Sequence, residues 1–335
     1  MKLDLKKLAK LASSGKWQAA SQLLTKRTLP LHIQISAEHQ ITPYTGVMWN
    51  PLNQDSSSFI FNADLPKDRV PFFITRLALM MPIITAFHDS KFFTTGSAFI
   101  NLDDSADAEG IAFCSNRNDQ LLIPDTEFIE TKGYGTAREY FRTNLIPWKD
   151  RDAIAFWRGS TTGVRSGNSW RDIPRVQMCE ICNAEAVSEI FNVGLSGLAQ
   201  IPNHELSEVR HSGLIRDYFP ILSSNRFKYQ IDIDGNTNAW AGLFQKLLSG
   251  SAVLKIKSPH DFQQWYYDKL ISWEHFVPVE ADMSDLVEKT RWLIENDDKA
   301  KAIGESGANL ARSLTYESVI EAALYSIQRE LLRSG

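Results

Sequence analysis

The spacing of apolar and polar residues differs between the two halves of the chain. Up to residue 150, short apolar runs separated by polar, proline-containing turns predict strands at 31–35, 59–61 and 98–102. A longer apolar stretch over 70–85 predicts a helix or another buried segment, and a further helix is predicted near 137–144. Pro147 ends that helix, and four consecutive charged residues at 149–152 indicate a domain boundary.

From residue 153 onward, compact apolar runs alternate with helical patterns of ordinary length. This alternation is typical of a parallel sheet with helices on its faces. Strands are predicted at 153–157, 229–233, 252–256 and 276–279. Helices are predicted at 240–248, 261–269, 284–295, 299–313 and 316–332. We therefore predict an α/β protein of two domains, residues 1–150 and 151–335, whose last helix, 316–332, could pack back on the first domain.

The composition narrows the class of protein. The 335 residues are 43% hydrophobic, which is enough apolar surface for two folded domains and rules out global disorder. The net charge of −4 argues against a general nucleic-acid coat protein, so no nucleic-acid partner is expected. Three cysteines are too few for a disulfide-stapled secreted fold and favour a reducing compartment. Cys179 and Cys182 have the spacing of half a zinc site, but without a second pair we interpret them as helical thiols.

The N-terminus is basic and amphipathic. One helical face carries leucines and the opposite face carries lysines: Leu3, Leu8 and Leu11 against Lys2, Lys6, Lys7 and Lys10. Such a helix can pack on its own domain or lie on an anionic membrane surface. No run has the length of a signal-peptide core, and none approaches the ~18–20 apolar residues that span a bilayer. We expect a cytoplasmic protein that is soluble or touches the inner face of the membrane.

The loop after the 153–157 strand is rich in arginine. It carries four arginines, three glycines and several hydroxyl groups: Arg158, Gly159, Ser160, Gly163, Arg165, Gly167, Arg171 and Arg175 are among its residues. Ligands of open α/β sheets bind at the carboxyl ends of strands, and guanidinium groups match phosphate oxygens in geometry and charge. The loop is interpreted as an anion site, with a solvated turn flanked by arginines as the alternative.

A second candidate anion site follows the 229–233 strand. Gly235 permits a tight turn, and the helix that opens near Ala239 offers unpaired backbone N–H groups at the positive end of its dipole. Two anion sites at strand ends favour one diphosphate ligand.

Two acidic clusters also follow strands. Asp232 and Asp234 could hold a divalent metal beside a diphosphate. Asp103 and Asp104 could include a general base, or could cap a turn. The residues alone leave structural and catalytic roles open for both clusters.

Five motifs occur in a fixed order: 156–160 (FWRGS), 228–229 (KY) before 233–235 (IDG), 248–255 (LSGSAVLK), 273–279 (WEHFVPV) with 282–286 (DMSDL), and 296–298 (NDD). Together they resemble glycosyltransferase family 90. The resemblance implies a GT-B architecture, with two Rossmann-like domains facing a cleft, and an inverting, metal-independent reaction that uses a UDP-sugar. It implies that no cofactor or metal is needed.

The resemblance also implies roles for individual residues. Asp104 takes the place of the catalytic base, although the residue before it, an arginine in the family, is Asp103 here. The nucleotide contacts fall on Ser160, on Arg171 as the phosphate-binding arginine, and on Thr237, Asn238, Ala239, Trp240, Ala241 and Gly242. Gly242 and Leu243 stand where relatives have an arginine, so Arg171, helped by Arg158 or Arg175, would neutralise more of the phosphate charge.

Taken together, these features predict an inverting glycosyltransferase that moves a sugar from a UDP-sugar to a glycan hydroxyl. Bacterial lipopolysaccharide core, or another surface polysaccharide, is the expected acceptor, glycan or lipid-linked. One alternative is a magnesium-dependent nucleotidyl or phosphoryl transferase that uses Asp232 and Asp234. The other is a degenerate nucleotide-sugar-binding protein.

Overall fold

Contacts within the chain divide it into two units in the computed structural model, which describes residues 3–39, 44–106 and 108–333. Unit 1 comprises Met1–Gly133 and Thr315–Gly335, and unit 2 comprises Tyr134–Leu314. The division precedes the sequence-predicted position at residue 150 because the helix 135–144 packs on the helix 241–248 of unit 2. The last helix belongs to unit 1.

The described residues form strands and helices in both units. The strands are β1 His32–Glu38, β2 Gly46–Asn53, β3 Ser56–Asn62, β4 Ala98–Asn101, β5 Gly110–Ala112, β6 Cys114–Ser115, β7 Gln120–Leu122, β8 Asp152–Ser160, β9 Phe191–Gly197, β10 Phe227–Asp232, β11 Ala252–Ile256, β12 Gln263–Gln264 and β13 Val277–Val279. The α-helices are α1 Leu5–Ser13, α2 Trp17–Thr28, α3 Val70–His88, α4 Thr126–Glu130, α5 Gly135–Asn144, α6 Pro174–Cys182, α7 Leu206–His211, α8 Ala241–Leu248, α9 Leu286–Glu295, α10 Asp297–Ser313 and α11 Tyr316–Arg333. Short 3-10 helices cover Trp148–Asp150, Trp170–Asp172, Ser188–Ile190, Ile221–Arg226 and Tyr267–Lys269.

Unit 1 is built on a mixed sheet of six strands in the order β1, β3, β2, β4, β5, β7. β2 runs antiparallel to both of its neighbours, and the remaining pairs are parallel. The helices α1, α4 and α11 pack on α3, the central helix of this unit. The strand β4 ends at Asn101, and the chain after it carries Asp103 and Asp104.

The helix α3 corrects one expectation about membrane segments. It has 19 residues with a mean hydropathy of 1.8, so by length and composition it could cross a bilayer, although none was expected to. Eleven of its side chains are nevertheless buried inside unit 1, which is the pattern of a core helix.

The N-terminal helix α1 buries its leucine face on its own unit. Leu8 is fully buried and α1 packs on α3. Lys6, Lys7 and Lys10 are exposed, and Lys2 lies outside the described residues. The packing interpretation of the leucines is therefore correct, and contact of the lysines with a membrane stays a prediction.

Unit 2 contains an all-parallel sheet in the order β13, β11, β10, β8, β9. Its strands β10 and β11 are buried on both faces. β11 is accordingly apolar apart from Lys255, whereas β10 also buries Gln230 and Asp232. α10 approaches the sheet very closely at Gly304, where a Cβ would lie 2.5 Å from the carbonyl oxygen of Gly250. The α/β class predicted from the sequence is thus confirmed.

The predicted helix at 261–269 is wrong. The segment consists of the short strand β12 and the 3-10 turn Tyr267–Lys269. Asp261 has a φ of +57°, which breaks a helix at its first residue. Tyr266 is fully buried against Phe244 of α8, so aromatic packing determines the local conformation.

Candidate functional site

The candidate site lies where the strand order of unit 2 reverses. The chain passes from β8 outward to β9 and then returns to β10 on the other side of β8. The carboxyl ends of β8 and β10 are therefore adjacent, but the chain leaves them toward opposite sides of the sheet. The two loops separate at this point and open a crevice, which is where sheets of this kind bind their ligands. Ser160 ends β8, and Ile233, Asp234 and Gly235 follow β10.

Arg175 of α6 joins these two strand ends. Its Nε donates a 2.9 Å hydrogen bond to the carbonyl oxygen of Asp234, and its Nη2 donates to that of Ile233 at 3.2 Å. Its Nη1 donates to the hydroxyl of Thr162 at 2.6 Å and to the carbonyl oxygen of Ser160 at 3.4 Å. Burial lowers the pKa of this guanidinium, and Asp232 and Asp234 oppose that effect. Arg175 thus fixes the position of both loops.

Gly235 packs against Thr162 and the guanidinium of Arg175. A Cβ at this residue would lie 2.9 Å from the hydroxyl of Thr162 and 3.0 Å from Nη2 of Arg175. The turn after β10 can therefore approach the β8 loop only because residue 235 has no side chain.

The other arginines of the loop bind partners outside these two strand ends, although Arg165 also lines the cavity described below. Arg158 donates to the carbonyl oxygen and side chain of Asn192 on the neighbouring strand β9, at 2.8 and 2.6 Å. Arg165 forms a two-point ion pair with Glu205.

Arg171, to which the family resemblance gives the role of phosphate ligand, lies on the surface. It pairs with Glu180 and with Glu208, and its guanidinium stacks over Trp170 at 4.3 Å. The structure therefore does not bring Arg158 or Arg171 together with the loop after β10, whereas it does bring Ser160 there through Arg175.

The predicted diphosphate loop lies at the N-terminus of α8. Thr237 and Asn238 are buried, and the Gly235 N–H donates to the carbonyl oxygen of Thr237 at 2.8 Å. Trp240 takes a φ of +43°, which turns the chain sharply into the helix. The first turn of α8 then begins at Ala241, with the Gly242 N–H bonded to the carbonyl oxygen of Ala239. The six predicted residues 237–242 are thus one continuous turn that ends in a helix N-terminus.

A cavity of about 300 Å³ adjoins this turn. It lies at the ends of β10 and β11, and its apolar walls are Val164, Pro174, Ile233, Ile256, Pro259 and Phe262. Its polar and charged lining residues are Arg165, Ser166, Gln177, Asp234, Asn236, Lys257 and His260. A mostly apolar cavity with a few polar groups can hold a flat heterocycle such as a nucleobase.

The loop after β11 is tied to the loop after β10. Asn238 donates through Nδ2 to the carbonyl oxygen of Phe262 at 3.0 Å and to Asp234 at 3.3 Å. Gln264 donates through Nε2 to the carbonyl oxygen of Trp240 at 3.3 Å. These bonds make the cavity wall and the turn before α8 one connected structure.

Asp232 forms a buried charge cluster below this turn. It is fully buried, accepts a 2.7 Å hydrogen bond from Lys246 of α8, and lies 3.6 Å from Nζ of Lys255. Burial alone would raise its pKa, but the two lysines and Arg175 outweigh that effect and lower it. The pKa of Asp234 is raised, chiefly by burial.

Ammonium groups therefore occupy the surroundings of Asp232 where a divalent cation would have to sit. Among the residues that the structure describes, no group of three or more histidine, cysteine or carboxylate side chains is arranged to hold a metal ion.

In unit 1, both acidic residues after β4 bind arginines, one within α3 and one at its N-cap. Asp104 Oδ1 accepts a 2.6 Å hydrogen bond from Arg76, and Asp103 pairs with Arg69. Asp104 is 34% exposed at its side chain, so it remains accessible. The two aspartates thus have separate partners.

Sequence reasoning missed the cavity wall at 257–262 and the central position of Arg175. The cavity wall could have been found, because residues 257–262 follow the end of a predicted strand, as the other two loops do. The position of Arg175 had no signal in the sequence, because all four arginines lie in one segment predicted as a loop.

Comparison with known proteins shows which family the chain matches. The family model of glycosyl transferase family 90 matches residues 129–327, more than half of the chain. The chain is 30% identical over 169 residues to protein O-glucosyltransferase 3 of Rattus norvegicus, covering 50% of this chain and 29% of the relative. It is 35% identical to protein O-glucosyltransferase 2 of Danio rerio, covering 50% and 30%. The chain matches less than a third of the length of these curated relatives. The solved structure of Anabaena HepE in complex with UDP-glucose has a TM-score of 0.37 and 10% identity, covering 58% of this chain and 53% of that one.

Proposed function

Because the chain belongs to glycosyltransferase family 90, we propose that it transfers a sugar from a UDP-sugar to a hydroxyl group of a glycan, with inversion at the anomeric carbon. The observation that carries this proposal is the crevice of unit 2, where an apolar cavity and the N-terminus of α8 lie side by side at the ends of β8, β10 and β11. A nucleoside diphosphate has matching parts, since its base suits the apolar cavity and its diphosphate suits the helix N-terminus.

The donor would lie along this crevice. The nucleobase enters the cavity between Pro174, Ile256 and Phe262, where its apolar faces leave water. The diphosphate meets the turn of residues 237–242, where the backbone dipoles of the first turn of α8 present their positive ends. As the UDP leaves, its growing negative charge is stabilised by these fixed dipoles, which need no reorganisation.

Asp104 would be the general base. As a carboxylate it accepts the proton of the acceptor hydroxyl while the oxygen attacks the anomeric carbon on the face opposite the departing UDP. The C1–oxygen bond to UDP breaks as the new glycosidic bond forms, which gives inversion in one displacement. Replacement of Asp104 by Asn would then abolish transfer and leave UDP binding in place.

The proposed reaction runs without a divalent cation. The support comes from the surroundings of Asp232, whose carboxylate is bonded to Lys246 and close to Lys255. A carboxylate already paired with ammonium groups is a poor ligand for magnesium, which binds through oxygen ligands. Full turnover in EDTA supports this, and a magnesium-dependent activity lost in Asp234→Ala would favour the nucleotidyl or phosphoryl transferase instead.

The acceptor we propose is a bacterial surface glycan, lipopolysaccharide core or a lipid-linked precursor, modified at the cytoplasmic face of the inner membrane. The exposed lysines of α1 fit an enzyme that meets such acceptors at an anionic surface. Cosedimentation with vesicles of anionic and of neutral lipid tests this location. Binding to anionic vesicles alone, lost when Lys6, Lys7 and Lys10 are replaced by glutamine, supports it.

A thermal-shift panel tests the donor. UDP, UDP-glucose, UDP-galactose, UDP-xylose and UDP-N-acetylglucosamine are compared with ADP-glucose and GDP-mannose as controls. A ligand at 100 times its Kd stabilises the folded state by about 2.7 kcal/mol, which a melting curve resolves. Stabilisation by UDP-sugars above the other nucleotides supports the proposal, and no shift at millimolar concentration contradicts it. Binding without any slow donor hydrolysis or transfer would indicate the degenerate binding protein.

A further inference from the structure

Arg76 of α3 holds the end of β4 at two points. Its Nη1 donates a 2.7 Å hydrogen bond to the carbonyl oxygen of Leu102, and its Nη2 donates a 2.6 Å bond to Oδ1 of Asp104. Leu102 is fully buried, so one arm of the fork is anchored in the core. The planar guanidinium therefore fixes the Asp104 carboxylate relative to the backbone two residues before it.

The guanidinium of Arg76 is itself held in place. Its central carbon lies 4.0 Å from the ring centroid of Phe72, one helical turn earlier on α3. The Arg76 side chain is only 15% exposed, against 34% for Asp104. The arginine is thus a packed support, and the carboxylate is the more accessible of the two groups.

Arg69, the N-cap residue immediately before α3, offers an internal comparison. Arg69 lies two turns before Arg76 and pairs with Asp103, the residue next to Asp104. Its side chain is 42% exposed and it also contacts the Phe72 ring, at 4.9 Å. Asp103 in turn accepts a 2.8 Å hydrogen bond from the backbone N–H of Asp104. Arg69 therefore reaches Asp104 only through a neighbour, whereas Arg76 contacts its carboxylate directly.

From this geometry we propose that Arg76 is the positioning residue of the catalytic base: it orients the Asp104 carboxylate for the acceptor hydroxyl. The inference rests on the proposed function, in which Asp104 takes that proton. A base displaced by about 1 Å loses on the order of 100-fold in rate, so the contribution of Arg76 falls on turnover. Donor binding depends on residues of unit 2 and stays unchanged.

The experiment compares Arg76→Ala, Arg76→Lys and the control Arg69→Ala in the full chain. With a donor chosen by the thermal-shift panel and its acceptor, kcat of Arg76→Ala falls on the order of 100-fold, while KM for the donor and Kd for UDP are unchanged. Arg76→Lys recovers part of kcat, since lysine supplies the charge but lacks the planar fork. Free guanidinium chloride at low millimolar concentration raises kcat of Arg76→Ala. Arg69→Ala keeps near-normal kcat.

The outcomes separate four cases. Loss of kcat in Arg76→Ala with guanidinium rescue supports the positioning role, whereas equal losses in Arg76→Ala and Arg69→Ala without rescue overturn it and indicate general disruption of α3. Normal turnover of Arg76→Ala beside an inactive Asp104→Asn overturns it while the base assignment stands. Normal turnover of Asp104→Asn refutes the base itself. If Arg76→Ala does not fold, Arg76→Lys decides: kcat equal to wild type contradicts the proposal.

Discussion

The Nε group of Arg175 donates a 2.9 Å hydrogen bond to the carbonyl oxygen of Asp234, and through this bond α6 holds the loop after β10 against the end of β8. Four of the bonds that Arg175 makes go to these two strand ends. The arginine therefore shapes the crevice, and the geometry of the phosphate-facing backbone depends on it.

Replacement of Arg175 by Met weakens UDP binding at least tenfold, a loss of about 1.4 kcal/mol, because the two loops are no longer held together. Arg171→Met is the matched control from the same loop. Its guanidinium pairs with Glu180 and Glu208 at the surface, and exposed pairs contribute only about 0–1 kcal/mol to stability. Titration calorimetry with UDP measures both. Equal losses in the two variants would restore Arg171 as the phosphate ligand.

Gly235→Ala lowers UDP affinity by about tenfold, which corresponds to about 1.4 kcal/mol. The added Cβ lies 2.9 Å from Thr162 Oγ1 and 3.0 Å from Arg175 Nη2, so one of the loops has to move. Gly197→Ala, whose Cβ meets nothing closer than 3.4 Å, is the control and binds UDP as wild type does. Unchanged affinity in Gly235→Ala would mean that the close approach of the loops is unimportant for the ligand.

Lys246→Met lowers the free energy of unfolding by about 3–5 kcal/mol, because it leaves the fully buried Asp232 carboxylate without its 2.7 Å partner. The double variant Lys246→Met, Asp232→Asn recovers most of that loss, since no uncompensated buried carboxylate remains. Urea unfolding of the single and double variants measures the difference. Additive losses would show that the two charges do not interact.

The thiols of Cys179 and Cys182 do not react with iodoacetamide in the folded protein at pH 8. Both are buried on α6, and burial raises the pKa of Cys179 to about 12 and that of Cys182 further. The thiolate is the reactive form, so the folded state suppresses the reaction. Mass spectrometry after labelling detects modification of these cysteines only in denaturant. Rapid labelling under native conditions would contradict the packing of α6.

The stability of the protein decreases as the pH falls below about 6.5, partly because of His88. The carbonyl oxygen of Gln54 can only accept, so neutral His88 carries its proton on Nδ1 and donates to it. The Nε2 of His88 then accepts from the hydroxyl of Ser57, which itself accepts from Trp49 Nε1. Burial lowers the pKa of His88 below its ordinary 6.5, so the unfolded chain binds the proton more readily. The contribution of neutral His88 to the free energy of unfolding is present above about pH 6.5 and is lost as the pH falls through the folded-state pKa. Urea unfolding at several pH values shows a steeper decline for wild type than for His88→Gln; parallel curves would exclude this role.

Much of unit 2 could be predicted from its sequence because compact apolar strands alternate there with helical patterns. β11 has the predicted bounds, and β8 and β10 differ from theirs by a few residues. β9 was missed because Phe191–Gly197 mixes apolar residues with Asn, Ser and two glycines, a composition that indicates a loop. The order of the strands, and with it the crevice, depends on contacts between distant residues.

The position of the candidate site along the chain could be predicted from the sequence, but the contacts of its side chains could not. The glycine turn at Gly235 predicted a helix N-terminus near Ala239, and the family resemblance placed the diphosphate contacts at 237–242 around it. It could not distinguish Arg175 from Arg171, since both lie within one loop and their partners come from elsewhere in the chain. Glu180 and Glu208 attract Arg171, and backbone carbonyl groups of two strands bind Arg175. Only the folded chain decides which arginine faces the crevice.

The most direct test of glycosyl transfer is the release of UDP from the donor in the presence of EDTA, with the acceptor supplied as a lipopolysaccharide-core or lipid-linked glycan extract. Wild type and Asp104→Asn are compared with the UDP-sugar that gives the largest thermal shift. The account predicts that wild type releases UDP and forms a product of inverted anomeric configuration, while Asp104→Asn binds the donor and releases none. Equal UDP release by both proteins, or release only after magnesium is added, would contradict it.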